Sequence, residues 1–286
     1  VEQSVARTLW TRFEPIHAVT YFTPEAREHF EAAGLRGFWR GYFAGRAAPL
    51  GDVDAAPVLA SFFSFAPSMV ERALPGVWQR ATPKAALDAR IAGAVAALRR
   101  LWDNADESIL VPIADRLEEA CSLLDYSGRI LGAANAVLPW PIDPVARVWQ
   151  ATTVLREHRG DGHVAAVRRA GLDGCSVLVW RSALDLRRHD LQPNRGWADE
   201  QWADAEQRLV ERGWLDDNAR TPTTAGVEEW SQVEAATDRD AGGPWQALGG
   251  ETDRLVERLT PLARAAAEAM PPMNPIGLPG LAGDAA

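Results

Sequence analysis

Ala33-Gly34-Leu35-Arg36-Gly37 recurs 137 residues later as Ala170-Gly171-Leu172-Asp173-Gly174, and that recurrence decides how the rest of the chain is read. Val70-Glu71-Arg72 returns 140 residues on as Val210-Glu211-Arg212. Ala6-Arg7 matches Ala146-Arg147 ahead of these blocks, while Asp115-Arg116-Leu117 and Leu124 match Asp253-Arg254-Leu255 and Leu262 behind them. Each block alone is weak, but their order is preserved, and self-similarity at a long period is the mark of a repeated unit. The pattern predicts a divergent tandem duplication whose halves face each other about a pseudo-two-fold axis, like the subunits of a dimer.

The length of 286 residues exceeds the ~100–200 residues of a usual domain, which suits two units of similar size. Residues 137–144, with Pro139, Pro141 and Pro144, forbid a continuous helix and mark the junction. The expected division is a first, degenerate repeat over 1–136, the junction over 137–144, and a second repeat over 145–270. A tail over 271–286, rich in Pro, Gly and small residues, is expected to be disordered.

A net charge of −9 opposes indiscriminate attraction to nucleic acid or anionic membrane. Cys121 and Cys175 stand at no metal-ligand spacing and read as buried packing residues. No apolar run of ~18 residues and no secretory signal is visible, so neither membrane nor export is indicated and the cytoplasm is the expected compartment. The twelve tryptophans read mainly as core filler and wedges between helices.

Most of the chain reads as helix. Residues 85–102 place Leu87, Ile91, Val95, Leu98 and Trp102 at three-to-four spacing behind a Thr82 N-cap and Pro83. Residues 109–124 carry Ile113, Leu117, Cys121 and Leu124 on one face. In the second half, helices are predicted over 145–158, 163–170, 174–186 behind an Asp173 N-cap, and 198–211. Trp214-Leu215-Asp216-Asp217-Asn218-Ala219-Arg220-Thr221 reads as strand, turn and return strand, and Thr223-Thr224-Ala225-Gly226 opens another helix. Helices, a small hairpin, then a helix is the order of a winged helix-turn-helix.

Here the chain resembles a known family. Glu14-Pro15-Ile16-His17-Ala18-Val19-Thr20-Tyr21-Phe22, the run from Arg156 to His163, and Arg212-Gly213-Trp214-Leu215 with Thr224-Ala225-Gly226 look like a largely uncharacterised bacterial family catalogued as MarR-like helix-turn-helix proteins. The resemblance spans nearly the whole chain to the tail and carries no catalytic assignment. It implies a mainly α fold of two winged-helix-like, MarR-like repeats arranged as a pseudo-dimer. In MarR-like dimers small ligands lodge between dimerisation helices and DNA-binding lobes, so the resemblance implies an inter-repeat pocket for a small organic ligand, with a ligand-responsive transcription regulator as the alternative.

The charge pattern argues against DNA as a partner. With Trp202, Ala205 and Leu209 buried, the helix in recognition position turns Asp199, Glu200, Asp204 and Glu206 toward phosphates, where arginine and lysine are needed. The corresponding stretch of the first half, residues 58–65, is apolar. Arg187, Arg188 and Arg195 are the counter-evidence.

Three clusters are candidates for the site. Arg156, Glu157, His158, Asp161 and His163 crowd a run whose Gly160 and Gly162 are expected to break the helix, presenting His158, Asp161 and His163 from a turn as an acid–base centre; the plainer alternative is Asp161 as the N-cap of the helix near His163. Glu14, His17 and Tyr21 line one face of the first helix, either as a pocket wall or as a solvated stripe. At an offset of 140, His17 falls on Glu157 and Tyr21 on Asp161, so both stripes are expected near one axis. Trp39, Tyr42, Phe43, Phe62, Phe63 and Phe65, with Arg46 as an anion partner, either form core or line a cleft for a planar or hydrophobic metabolite. His17, His158, Asp161 and His163 carry the acid–base expectation. No metal site is expected, and no nucleotide-binding, nucleophile-elbow or zinc-protease motif is present, so no cofactor is expected.

Overall fold

The computed structural model describes residues 4–271. It is mainly helical. The first half contains α1 (Val5–Phe22), α2 (Pro24–Ala32), α3 (Phe38–Ala47), α4 (Ala55–Phe62), α5 (Pro67–Glu71), α6 (Pro83–Leu101), α7 (Glu107–Ser122) and α8 (Ile130–Ala136). The second contains α9 (Pro144–Arg169), α10 (Gly174–Leu184), α11 (Arg188–Arg195), α12 (Asp199–Glu211), α13 (Thr224–Asp240), α14 (Gly243–Leu248) and α15 (Glu251–Glu268). The tail expected over 271–286 lies, beyond Pro271, outside the described residues.

The recurring pentapeptide is a helix stop used twice. Gly34 and Gly171 adopt φ of 90° and 75°, a region that favours glycine. In both copies the leucine N–H reaches back five residues, Leu35 to the Phe30 carbonyl at 2.9 Å and Leu172 to the Val167 carbonyl at 3.1 Å. This Schellman closure satisfies end carbonyls and turns each leucine into a core, where both are buried. Burying a leucine contributes ~1.5–3 kcal/mol, so the turn and the core support each other.

The helices that lead into these two stops differ. Thr23 interrupts the first: its N–H donates to the Val19 carbonyl, its hydroxyl caps Ala26, and Pro24 opens α2. No proline stands at the matching place in α9, which runs unbroken for 26 residues. The helix break expected at Gly160 and Gly162 is therefore wrong, and the two helices predicted over 145–170 are one. A Cβ at Gly162 would lie 1.9 Å from the Arg129 guanidinium, the far end of a flexible side chain that can move aside, so the helix tolerates this glycine rather than depending on it. Glycine's ~1 kcal/mol helix penalty is outweighed by the packing on either side of it.

The caps predicted at Thr82 and Asp173 hold, accepting from the N–H groups of Ala85 and Ser176, and the helix expected to open at Thr223 does so with Thr223 accepting from Gly226. Ile113, Leu117 and Cys121 of α7 and Trp202, Ala205 and Leu209 of α12 are buried. The hairpin is shorter than expected. Among the described residues it is one antiparallel bridge between Leu215 and Pro222, tightened by Asp216, whose carboxylate caps Asn218 and Ala219.

Buried apolar side chains gather in three clusters among the described residues. One is built from the first half around Phe43, Phe62 and Val70. Another is built from the second half around Trp180, Trp202 and Leu209. The largest draws on α1, α6, α7, α9 and α15 together. In it α1 crosses α9 and packs on α15, while α9 packs on α7. No described helix is long and apolar enough to cross a membrane.

Candidate functional site

Every residue of α1 from Thr11 to Thr20 is buried. Glu14 and His17 of the stripe are therefore buried and Tyr21 is half-buried, with Glu14 and His17 finding partners on α9. His17 Nδ1 is 3.0 Å from Thr153 Oγ1 and its Nε2 3.0 Å from the Tyr21 hydroxyl. Its ring stacks on Trp149, whose indole N–H donates to the His17 carbonyl. Burial, with Arg156 nearby, holds the His17 imidazole well below its ordinary pKa, so it is neutral at pH 7.

A chain of charges runs alongside. Glu157 accepts both arms of Arg46 at 2.9 Å, and Arg46 also donates to the Tyr42 hydroxyl at 3.2 Å. Arg156 donates to Glu157 at 3.0 Å and to Glu14 at 3.2 Å, and Glu14 accepts the Trp10 indole N–H at 2.9 Å. Burial alone would raise the Glu157 carboxyl, but Arg46 and Arg156 outweigh it and keep the group ionised. The Arg46 guanidinium lies 4.2 Å from the centre of the Phe62 ring. The network joins α1 and α3 to α9, whose paired residues lie more than a hundred positions further along the chain.

Glu14 and Arg156 end this network at a cleft of about 1420 Å³ bordered by α1, α9, α13 and the α14–α15 corner. Trp10, Arg159, His163 and Trp230 also line it. Arg159 lies 4.4 Å over Trp10 and pairs with Asp238 at 2.6 Å, while Asp238 and Glu234 both bind Arg7. His163 Nδ1 is 3.2 Å from Thr237 Oγ1, its ring meets Trp230 edge-on, and its Nε2 has no hydrogen-bond partner among the described residues. Burial pushes His163 down to about 4, against the pull of Glu234. The sequence reading missed Trp10, Trp230 and Asp238; the period of α1 and α13 places them on faces, but nothing local says those faces meet.

His158 and Asp161 turn the other way. Asp161 Oδ2 accepts the Gly132 N–H at 2.9 Å, which caps α8 from across the interface. It is a cap, but of a helix far from its own, because α9 does not begin there. Burial pushes its carboxyl up to about 6, opposed by that hydrogen bond. His158 Nε2 donates to the Asp125 carbonyl at 2.9 Å and its ring meets Tyr126 edge-on. Gly132 permits the crossing, since a Cβ there would stand 2.8 Å from the His158 Cα. The structure thus joins Glu14, His17 and Tyr21 with Arg156 and Glu157, and brings Glu14 and His163 to one cleft. It does not bring His158 and Asp161 there.

The aromatic cluster is mostly interior. Phe43, Phe62 and Phe65 are buried, with Trp39 and Tyr42 packed against them. Phe63 leaves this core: at φ 57° it packs on the second-half cluster instead. Among the described residues no group of three His, Cys, Asp or Glu side chains is placed to hold a metal.

On α12, Asp199, Glu200 and Asp204 are exposed. Glu206 is not on that face as expected, because it accepts the Trp202 indole N–H at 3.1 Å. The nearby arginines are engaged: Arg187 with Asp190, Arg188 with Asp199, and Arg195 buried 4.6 Å over Phe65. The α11–α12 turn is gripped by the first half, with Trp197 donating to the Ser64 carbonyl and Ala66 to the Arg195 carbonyl.

Successive short helices α10, α11 and α12 closed by a tight hairpin define a helix-turn-helix protein. The chain belongs to the Helix-turn-helix family, whose model matches residues 6–271. No curated protein and no solved structure gives a match.

Proposed function

We propose that the chain is a cytoplasmic tandem pseudo-dimer of winged-helix-like, MarR-like repeats that binds a small organic ligand in the cleft between its halves. The duplication is supported by the twin Schellman stops and by reciprocal packing, α1 on α15 and α9 on α7. The order of elements sets α3, α4, α5 and α6 beside α10, α11, α12 and α13. On that pairing the first half offers a five-residue helix where the second has α12, and no hairpin follows it.

The observation that carries the ligand reading is the cleft itself. Glu14 from one half and Arg156 and His163 from the other open on a single concave volume walled by Trp10 and Trp230, an aromatic frame within a strongly charged lining. His163 Nε2 is the group we assign to proton exchange with the ligand, the imidazole being held from behind by Thr237. Native mass spectrometry of protein purified from its own host tests this: a retained small molecule is expected in the wild type and is lost in His163→Ala. Equal retention by both would exclude His163 from the site.

A second reading, a ligand-responsive transcription regulator, is favoured by family membership. Against it stand the exposed carboxylates of α12 and the engaged arginines beside it. A salt-sensitive, sequence-specific complex with duplex DNA, abolished by changing Arg187 or Arg188, would decide for the regulator.

A further inference from the structure

A second cavity of about 510 Å³ lies beyond the far end of the buried network, among the end of α1, α2 and α3. Three of its rings are nearly parallel in sequence: Phe22 against Phe38 at 6.2 Å and 28°, and Phe38 against Tyr42 at 6.1 Å and 18°. Phe38 is 42% exposed, an uncommon place for a phenylalanine with rings on both sides. The phenol oxygens of Tyr21 and Tyr42 are occupied by His17 and Arg46. Arg27, on the lining, is paired with Glu31.

Thr20 is the exception. It lines this cavity, is 2% exposed, and its Oγ1 has no hydrogen-bond partner. Other threonines of this region bond back along the helix, Thr11 to the Thr8 carbonyl at 2.7 Å and Thr23 to the Val19 carbonyl at 2.8 Å. A buried hydroxyl that forgoes that bond keeps an unmet desolvation cost, and such groups in native proteins call for a partner.

We propose that this cavity is a second binding site, taking an uncharged planar ring system with one carbonyl or hydroxyl oxygen that Thr20 Oγ1 recognises. The stacked wall selects flatness, the volume accommodates two or three fused rings, and the absence of an unpaired charge among the lining groups just named disfavours an ion. The site is independent of the inter-half cleft, so His163→Ala leaves it intact.

The test uses three probes of similar shape, 1-tetralone, 1-naphthol and 1-methylnaphthalene, titrated against the full chain by NMR. The oxygen-bearing probes are expected to bind at least fivefold tighter than 1-methylnaphthalene, shifting the amides of Gly37, Phe38 and Gly41. Thr20→Val should erase that preference while leaving the 1-methylnaphthalene affinity within twofold, and Thr20→Ser should retain it. Phe38→Ala should weaken all three together, which keeps the test open if Thr20→Val does not fold. No binding, shifts confined to Trp10, His163 and Trp230, or a preference that survives Thr20→Val would each overturn the proposal.

Discussion

Replacing Glu157 with glutamine removes one charge from the centre of the α1–α3–α9 network and leaves the shape almost unchanged. Glu157 is buried and accepts from Arg46 through both oxygens and from Arg156 through one. Glutamine retains one acceptor and presents an NH2 to a guanidinium, so Arg46 loses its carboxylate partner while Arg156 keeps Glu14. Breaking a buried pair on one side costs ~3–5 kcal/mol, because the surviving charge stays desolvated. At ~2–4 °C per kcal/mol for a chain of this size, the midpoint of thermal unfolding should fall by roughly 6–20 °C. The pH dependence has a definite sign: a carboxyl held below its unfolded pKa contributes stability above ~4.3 that is lost as pH falls toward the folded value. Urea titrations of wild type and Glu157→Gln at pH 7 and pH 4 should therefore converge as the pH drops. A difference under ~1 kcal/mol at pH 7, or one that grows on acidification, would refute the assignment of Glu157 as the ionised centre of the network.

Asp161→Asn should do the opposite. Its carboxyl is pushed up to about 6, so the folded state holds its proton across pH 4–6 and ionisation above that window costs stability; the melting point of the variant should gain on wild type between pH 5 and pH 8, and an unchanged difference would show that Asp161 is not desolvated. Gly132→Ala should destabilise by ~1–3 kcal/mol in urea, since the new methyl meets His158 backbone at 2.8 Å, whereas Gly160→Ala, with only side-chain ends near 4 Å, should be neutral or mildly stabilising. Replacing Asp199, Glu200 and Asp204 together with serine should leave retention of a host-derived ligand intact, as measured by native mass spectrometry; loss of that ligand would tie α12 to the cleft.

How far the chain could be read in advance follows the range of the forces involved. The caps at Thr82 and Asp173, the helix opening at Thr223 and the apolar stripe of α12 depend on neighbours within a few residues, and each stands where the pattern placed it. The continuity of α9 was not legible, because glycines weaken a helix locally, whereas the packing of α9 on α1, α7, α8 and α13 that holds it together comes from distant parts of the chain. The polar stripe of α1 is a similar case. Glu14, His17 and Tyr21 could be seen to share a face, but whether it met water depended on Arg156 and Thr153. His158 and Asp161 were misplaced for the same reason: a turn was read where tertiary contacts impose a helix, and on a helix they face α8 instead of the cleft.

The asymmetry of the network bears on why two such halves would share one chain. On the proposed duplication, His17 and Glu157 occupy the same position of the two repeats, close to where α1 and α9 cross. A symmetric dimer would have to place two carboxylates or two imidazoles there, and like charges buried near one axis repel. In the single chain the position carries one of each, and the roles separate: Glu157 is ionised by two arginines, while His17 is neutral between Thr153 and Tyr21. Arg46, which neutralises Glu157, comes from α3, and at an offset of 137 its counterpart in α10 is Ala183, a residue with no charge to offer. A cavity flanked by such a centre can discriminate the two ends of an asymmetric molecule. Glu157→His would restore the symmetric pair; it should unfold more readily than Glu157→Gln below pH ~6.5, where a second buried imidazole gains a proton on unfolding, and equal stability of the two variants across that range would remove the electrostatic reason for the divergence.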